Sequence, residues 1–201
     1  MREIPAGEKI ILDLCGGTGA WSKPYRDAGY DVRIVTLPEN DVRSWIPDPD
    51  IFERSKVWGI LAAPPCDHFS VSGAQYWKAK DADGRTAEAL QIVDACMDFI
   101  ENLQPEWWAL ENPVGRLRSL RQDRLREPRL TFDPCDYGDP YTKRTLLWGV
   151  FNLPARNPVK PIRVSSQGSW VQRLGGKSEK TKRLRSATPP GFARAFMEAN
   201  P

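Results

Sequence analysis

The chain has 201 residues, 27% of them charged, and no apolar run approaches the ~20 residues that a membrane helix requires. This length fits one α/β domain with a small additional lobe, and no amino-terminal signal pattern is present, so we expect a soluble, cytoplasmic protein. There is no Cys-x-x-Cys pair and His68 is the only histidine, which argues against a metal site such as zinc. The four cysteines are scattered, so a disulfide framework is not expected.

The net charge of +3 is unevenly distributed along the chain. Residues 1–114 carry a balance of −8, residues 115–185 a balance of +11, and the remaining residues are neutral. An acidic half joined to a basic half predicts a polyanionic partner such as nucleic acid on one face. The alternative is a solvated basic surface on an irregular segment.

Short apolar runs alternate with helical stretches in the amino-terminal half. Strands are predicted at Ile10–Leu14, at residues 31–37 and at Val57–Ala62. A helix is predicted over residues 21–29, with Gly29 as its stop signal.

The central part of the chain continues this alternation. Residues 74–86 are polar and predict a mobile loop. Apolar side chains at helical spacing predict a helix over residues 86–103, and a strand follows at residues 107–110. Strands alternating with helices predict an α/β fold with a mostly parallel sheet and helices on both faces.

The carboxyl-terminal half differs in amino-acid composition from the rest of the chain. Residues 116–129 place charged side chains around a few leucines and predict an exposed helix, and Thr145–Val150 predicts a strand. Residues 151–184 are rich in proline, glycine and basic residues, which predicts loops with little core. A final helix is predicted over residues 191–200.

Chemistry-bearing residues follow three of the predicted strands. The first strand runs into a glycine-rich turn, Asp13-Leu14-Cys15-Gly16-Gly17-Thr18-Gly19. Glycines let a backbone adopt positive φ and approach a nucleoside ligand closely. Alone, this turn is compatible with many nucleotide binders and with an ordinary tight turn.

A thiol and an acid follow two further strands. Val57–Ala62 leads into Pro64-Pro65-Cys66, and the proline pair fixes the end of the strand because proline cannot extend a sheet ladder. The strand that begins at Trp107 ends in Glu111-Asn112-Pro113. A single cysteine is usually a small buried hydrophobe, but a polar, proline-framed loop at a strand end favours a catalytic thiol.

These three segments, in this order, resemble the DNA cytosine-5 methyltransferases, in particular their short, stand-alone phage-like forms. The resemblance is strongest at Pro64-Pro65-Cys66 with Phe69-Ser70-x-Ser72-Gly73, and it extends to Glu111-Asn112 and to the later Tyr137–Arg144 segment. It implies a Rossmann-like, S-adenosylmethionine-dependent methyltransferase fold with a small irregular basic lobe, in a bacterial or phage-infected host. It further implies methyl transfer to C5 of cytosine.

The resemblance implies a set of S-adenosylmethionine-binding residues around the first strand ends: Asp13, Cys15, Gly16, Gly17, Thr18, Gly19, Trp21, Glu39, Asp41 and Pro64. Three positions in this region depart from the family pattern. Cys15 stands where the family has an aromatic residue, and Ala20 stands where it has the last glycine of the loop. Thr36-Leu37-Pro38 stands where an acid for the ribose hydroxyls is expected, with Glu39 as the alternative acid. Asp41 resembles the family residue that meets the adenine amino group.

The resemblance also implies catalytic roles. Cys66 is the nucleophile that adds to C6, and Glu111 is the acid that holds and protonates N3. Either Lys143 or Arg144 binds the cytosine carbonyl or a phosphate. The substrate side is completed by Ser70, Ser72, Asn112 and Pro113. Asp67 replaces the usual glutamine, and an acid beside the thiol opposes its ionisation.

We expect residues 1–149 to form the catalytic and cofactor-binding domain, residues 150–184 a minimal target-recognition lobe, and residues 185–201 a helix packed back on the catalytic domain. Basic residues of 116–129 and 173–185 are predicted to hold DNA phosphates. So short a lobe predicts short or relaxed sequence specificity, and no oligomeric state is indicated.

Two alternatives stay open at this stage. One is the same chemistry on a free pyrimidine nucleotide or an RNA base, against which the excess of basic residues argues. The other is a non-catalytic nucleic-acid binder, which the missing ribose acid and the lack of the family's final Gly-Asn-Ser-Val-type segment favour. The presence of both Cys66 and Glu111 opposes the second alternative.

Overall fold

The structure is a computed structural model that describes residues 4–52, 57–166, 168–175 and 178–201. Its centre is one six-stranded sheet. The strands are β1 (Ile10–Leu14), β2 (Asp31–Val35), β3 (Val57–Ala62), β4 (Trp107–Pro113), β5 (Leu130–Phe132) and β6 (Thr145–Val150). The α-helices are α1 (Lys23–Asp27), α2 (Trp77–Ala82), α3 (Arg85–Leu103), α4 (Leu117–Leu120), α5 (Trp170–Arg173), α6 (Glu179–Ser186) and α7 (Pro190–Ala199).

The strands lie in the spatial order β2-β1-β3-β4-β6-β5. β1 pairs in parallel with both β2 and β3, and β3 pairs in parallel with β4. β6 runs antiparallel to its two neighbours, β4 and β5. The carboxyl ends of β1, β3 and β4 therefore meet at one edge of the sheet, which is where an open α/β sheet binds its ligands.

Alternate residues of each strand feed two cores, one on each face of the sheet. Leu12 of β1 packs on the side of α3, which contributes seven buried side chains to that core, among them Val93 and Met97. Ile11 points to the other face, where α1 and α7 supply Tyr25 and Phe196. This period-2 alternation places helices on both faces, so the predicted fold class is confirmed.

Most strand predictions are confirmed, with shifted boundaries. β2 ends at Val35, two residues before the predicted end, and β4 extends to Pro113 because β6 pairs with it along its whole length. The helix predicted over residues 21–29 is limited to α1, and Gly29 has a φ of 86° as expected of a residue that stops a helix.

Two predictions were wrong. The segment 74–86 is not a loop, because a 3-10 helix at Val71–Tyr76 runs directly into α2. The long helix predicted over residues 116–129 is only the four-residue α4, and the chain then turns into the unpredicted strand β5. In both places side chains from elsewhere in the fold, described below, determine the conformation.

The basic carboxyl-terminal region contains more helix than predicted. Residues 151–164 are irregular as expected, but α5 and α6 form within and beyond the predicted loop region. α7 packs on α1, and its Phe192 and Phe196 are fully buried. The proposed domain boundaries at residues 149 and 184 stay predictions.

Candidate active site

Three loops converge at the carboxyl edge of the sheet. We call residues 15–20 after β1 the glycine loop, residues 63–70 after β3 the thiol loop, and residues 114–116 after β4 the acid-side loop. Parallel pairing of β1 with β3 and of β3 with β4 puts these loops side by side. The glycine loop and the thiol loop are joined at their start, since the amide of Ala63 donates to the carbonyl of Leu14 at 3.0 Å.

The glycine loop has two glycines packed closely against neighbouring atoms and a third that faces open space. A Cβ on Gly16 would lie 2.4 Å from the Asp13 carboxyl carbon, and one on Gly19 would lie 2.6 Å from Ile34 Cδ1. Gly17 has a φ of 55° and faces open space, with nothing within 4 Å of a Cβ built there. The loop therefore leaves room above its backbone, as a bound nucleoside requires.

Asp13 lies fully buried beneath the glycine loop. Its Oδ2 accepts a hydrogen bond from Ser22 Oγ at 2.5 Å, while its Oδ1 has no hydrogen-bond partner among the described residues. Burial raises the pKa of Asp13 to about 6, against the opposing effect of the Ser22 hydrogen bond. A buried, unpartnered carboxylate oxygen below an open cradle is consistent with a cationic or hydrogen-bond-donating ligand.

The end of β2 is arranged differently from the family expectation. Thr36 Oγ1 accepts a hydrogen bond from the Gly17 amide at 3.2 Å and so ties the two strand ends together. Glu39 is exposed nearby. Asp41 pairs with Arg43 at 2.5 Å, and this guanidinium lowers the pKa of Asp41 to about 2. Asp41 is therefore a carboxylate at neutral pH.

Two of the predicted cofactor residues have partners inside the protein. Trp21 is buried in an aromatic cluster, 5.5 Å from the ring of Phe196 and 6.2 Å from that of Phe192, so its side chain is a core residue rather than an open cofactor contact. Cys15 has a φ of 58° and its Sγ lies 3.9 Å from Sγ of Cys96 in α3. Thr18 is exposed on the same loop.

The thiol loop is fixed from the acid side by main-chain contacts. Arg116 N donates to the Phe69 carbonyl at 2.9 Å, and Val71 N donates to the Val114 carbonyl at 3.0 Å. Gly115 makes this approach possible, because a Cβ there would lie 1.9 Å from the Phe69 oxygen. The buried Phe69 side chain anchors the loop in the core.

Side chains also join the loops. Asn112 is fully buried and donates through Nδ2 to the Pro64 carbonyl at 3.1 Å, which links β4 to the start of the thiol loop. Ser70 and Ser72 hydrogen-bond to each other at 3.0 Å, and Ser70 caps the following 3-10 helix. Pro113 pairs with Thr145 of β6 and is half-buried.

Glu111 lies close enough to Cys66 to influence the ionisation of the thiol. Burial raises the pKa of the Cys66 thiol, and the carboxylates of Glu111 and Asp67 raise it further, while Lys143 and Arg185 act in the opposite direction. Burial likewise raises the pKa of Glu111, opposed by Lys143. A protonated Glu111 removes one negative neighbour from Cys66, so a proton on the acid favours the thiolate.

The structure separates Lys143 from Arg144, which the sequence left equivalent. The charge of Lys143 lowers the pKa of both Cys66 and Glu111. Arg144 is exposed and pairs with Asp133 at 3.1 Å, and its carbonyl accepts from the Val114 amide at 3.2 Å. Lys143 is therefore the better placed of the two to bind a substrate group beside the thiol.

The first basic segment is used within the protein. Arg116 pairs with Asp81 at 2.7 Å, and Arg121 and Arg124 pair with acidic residues on the exposed face of α3. Arg124 reaches two carboxylates at 2.8 Å each. At Arg116, Arg121 and Arg124 the prediction that residues 116–129 hold DNA phosphates is corrected, because these half-buried guanidinium groups are paired within the protein and stabilise the fold. For the other basic residues of the segment it stays a prediction.

The second basic segment is placed differently. α6 begins at Ser178, whose Oγ caps the helix by accepting from the Thr181 amide, and its basic side chains are exposed. The charge of Arg185, near the end of α6, lowers the pKa of Cys66. Residues 176 and 177 of the predicted phosphate-binding segment lie outside the described residues. The described part of the segment brings positive charge to the edge of the site.

The six-stranded sheet with its antiparallel β6 matches the fold of a solved methyltransferase structure. No protein-family model matches the chain. In sequence, the chain is 24% identical over 171 residues to the Type II methyltransferase M.DdeI of Desulfomicrobium norvegicum, an alignment that covers 69% of this chain and 39% of that protein.

The structural comparison agrees with the sequence comparison. A crystal structure from E. coli, described as a candidate DNA modification methyltransferase encoded within a prophage, superposes with a TM-score of 0.53 at 18% identity. It matches 85% of this chain and 56% of that one. The chain thus spans well under two thirds of either relative, and the two comparisons support a relationship with the DNA methyltransferases.

Among the residues that the structure describes, no helix is long and apolar enough to cross a membrane. Across those same parts of the chain, no three histidine, cysteine, aspartate or glutamate side chains cluster so that they could hold a metal ion.

Proposed function

We propose that the protein transfers a methyl group from S-adenosylmethionine to C5 of cytosine in DNA, through a covalent bond between Cys66 and C6 of the base. The observation that supports the proposal is that Cys66 follows β3 and Glu111 lies on the parallel neighbour β4, with the charge of Lys143 acting on both groups. A protein that only bound nucleic acid would need neither the thiol nor the buried acid. The likeness to M.DdeI favours the same class of chemistry.

The raised pKa of Glu111 suits this reaction, because a protonated acid can donate to the base and removes one negative neighbour from Cys66. The Cys66 thiolate donates its electron pair to C6, a C–S bond forms, and the proton of Glu111 goes to N3 of the base. The displaced electron pair makes C5 nucleophilic, and C5 would accept the methyl group as the sulfonium donor leaves as a neutral thioether. Loss of the C5 proton to a base then breaks the C–S bond, and N3 returns its proton to the Glu111 carboxylate. These steps release neutral 5-methylcytosine and restore both the thiolate and the protonated acid.

S-adenosylmethionine would supply the electrophilic methyl group on its sulfonium. The glycine loop fits such a ligand, because the backbone at Gly17 faces open space with nothing within 4 Å of a Cβ built there. Asp13 Oδ1 offers an unpartnered acceptor beneath it. Glu39 and Asp41 lie on the segment that follows β2 and are the nearest acids in sequence for the adenosine end.

DNA is the proposed substrate because the exposed charge of α6 exceeds what a single nucleotide phosphate requires. The target cytosine must leave the base stack to reach a thiol at the end of β3, or the strand must be single. α6 and Arg173 would contact phosphates. Each such contact makes the slope of log K for binding against log salt concentration steeper by about one. Because the lobe between β6 and α6 is small, we expect short or relaxed sequence specificity.

Nucleoside mass spectrometry tests the proposal. Duplex and single-stranded DNA are incubated with S-adenosylmethionine and either the wild type or Cys66→Ala, with Cys135→Ala as the control for another half-buried thiol. We expect 5-methyldeoxycytidine from the wild type and from Cys135→Ala, and none from Cys66→Ala. Absence of product from every protein on both DNAs would contradict the proposal and direct the same assay to RNA and free nucleotides.

A further inference from the structure

Asp67 creates a problem for a catalytic thiol next to it. A carboxylate at this position raises the pKa of Cys66 and so opposes formation of the thiolate. The groups that face Cys66 from other elements are Glu111 of β4, Lys143 before β6 and Arg185 of α6. The proposed reaction therefore needs the charge of Asp67 to be balanced.

Lys80 of α2 contacts Asp67 at two points. Its Nζ donates to the Asp67 carbonyl at 2.6 Å and lies 3.3 Å from the Asp67 carboxylate. Lys80 is only 8% exposed, although it sits on a helix whose other lysine, Lys78, is exposed. A lysine is rarely buried unless its ammonium group is paired, so this placement depends on Asp67.

Other cations near Asp67 are less suitable. His68 Nε2 lies 3.2 Å from the same carboxylate, but burial and the nearby cations Lys80, Arg85 and Arg116 lower the pKa of His68 against the effect of Asp67. His68 is therefore neutral at neutral pH and does not balance the charge. Arg85 already forms an exposed ion pair with Asp83 at 2.5 Å.

α2 is itself held rigidly against the thiol loop. Arg116 stacks over the ring of Trp77 at 4.7 Å, pairs with Asp81 and donates through Nε to the His68 carbonyl at 3.1 Å. α2 is thus connected to Asp67 directly through Lys80 and to His68 indirectly through Arg116. The Lys80 ammonium is held in place by this frame and not only by its own contact.

We infer that Lys80 is a positioning residue that offsets the charge of Asp67, so that the Lys80–Asp67 pair serves beside Cys66 as an uncharged side chain would. The inference rests on the proposed role of Cys66 as nucleophile. It predicts that Lys80 matters to the thiol only while Asp67 carries its charge.

The test follows the rate of Cys66 alkylation by iodoacetamide against pH, measured by peptide mass spectrometry. The proteins are the wild type, Lys80→Met, Asp67→Asn, the double variant, and Lys78→Met as the control on the exposed face of α2. We expect Lys80→Met to slow alkylation at pH 8 by about three- to tenfold and to move the profile to higher pH. In the Asp67→Asn background the same change should alter the rate less than twofold, and Lys78→Met should match the wild type.

An unchanged profile in Lys80→Met would overturn the inference. An equal slowing of alkylation by Lys80→Met in both backgrounds would also overturn it, since that result means a structural effect without charge balance. Circular dichroism and thermal unfolding identify any variant that fails to fold. If Lys80→Met fails to fold, the comparison of Asp67→Asn with the double variant decides, because the double variant has no charge of this pair left without its partner. Alkylation needs neither DNA nor cofactor, so a protein that does not methylate DNA can still confirm or refute the pair.

Discussion

Adding one methyl group at Gly115 should separate the thiol loop from the acid-side loop. A Cβ at this position would lie 1.9 Å from the Phe69 oxygen, 2.7 Å from the Phe69 carbonyl carbon and 2.9 Å from Ser70 Cα. All three are backbone atoms, so no flexible side chain can give way. Real Cβ atoms do not come closer than 3.0 Å, and the loops must therefore move apart by about 1 Å.

The consequences of Gly115→Ala follow from that displacement. Overpacking of this kind costs about 1–3 kcal/mol, which corresponds to a fall in melting temperature of about 2–12 °C for a chain of this size. Misplacing a nucleophile by about 1 Å lowers activity by about 100-fold. The matched control is Gly7→Ala, where the nearest atom, the Gly29 oxygen, would be 3.6 Å from the new Cβ.

The assay combines differential scanning calorimetry with the methylation rate on one oligonucleotide. We expect Gly7→Ala to retain the wild-type rate and Gly115→Ala to lose both stability and rate. If Gly115→Ala equals Gly7→Ala in both measurements, the close approach of the two loops does not hold the thiol in place, and the reasoning is refuted.

Three further outcomes follow from burial and charge. Glu111→Gln removes a charge that raises the pKa of Cys66, so alkylation of the thiol should move to lower pH while methylation is lost, and an unmoved alkylation profile would count against their proximity. Asp13 has a folded pKa of about 6 against a reference of 3.8, so its contribution to stability is present below pH 4 and is lost as pH rises to 6. Between pH 4 and 7, the free energy of unfolding of Asp13→Asn, measured in urea, should therefore rise by about 3 kcal/mol relative to that of the wild type. The same pH dependence of unfolding in both proteins would disprove this role of Asp13. Phe196→Ala, in the core of α7, should cost about 3–5 kcal/mol, whereas the exposed Leu153→Ala should change the free energy of unfolding by less than ~0.5 kcal/mol.

The strand-end chemistry could be predicted from sequence because its signals are local. Apolar runs of five or six residues predict β1 and β3, and Pro64 and Pro65 fix the end of β3 regardless of tertiary contacts. The same is true of Glu111, although β4 continues beyond it because β6 pairs there. Local signals of this kind are sufficient to place Cys66 just after one strand and Glu111 near the end of another.

The helix behind the thiol loop could not be predicted in this way. The segment 74–86 has the polar composition of a loop, and nothing local indicates that Lys80 is buried. Its partner, Asp67, lies on a different element, and the arginine that fixes the helix, Arg116, comes from beyond β4. The polar residues are ordered by these distant contacts.

Three other side chains have contacts that differ from the predicted ones for the same physical reason. Trp21 follows the glycine loop and was predicted to contact the cofactor, but Phe192 and Phe196 from the far end of the chain bury it. Arg121 and Arg124 were predicted to bind phosphate from an exposed helix, but carboxylates of α3 bind them. Which groups a surface charge meets is a property of the whole fold.

The most direct test of the central claim is to trap the bond between Cys66 and a cytosine. A DNA oligonucleotide carrying 5-fluorodeoxycytidine, whose C5 fluorine cannot leave as a proton does, is incubated with the protein and S-adenosylmethionine and analysed by intact and peptide mass spectrometry. We predict a protein–DNA adduct located on Cys66, present in Cys135→Ala and absent from Cys66→Ala. An adduct on another residue, or 5-methylcytosine formed by Cys66→Ala on ordinary DNA, would contradict the assignment of Cys66 as the nucleophile.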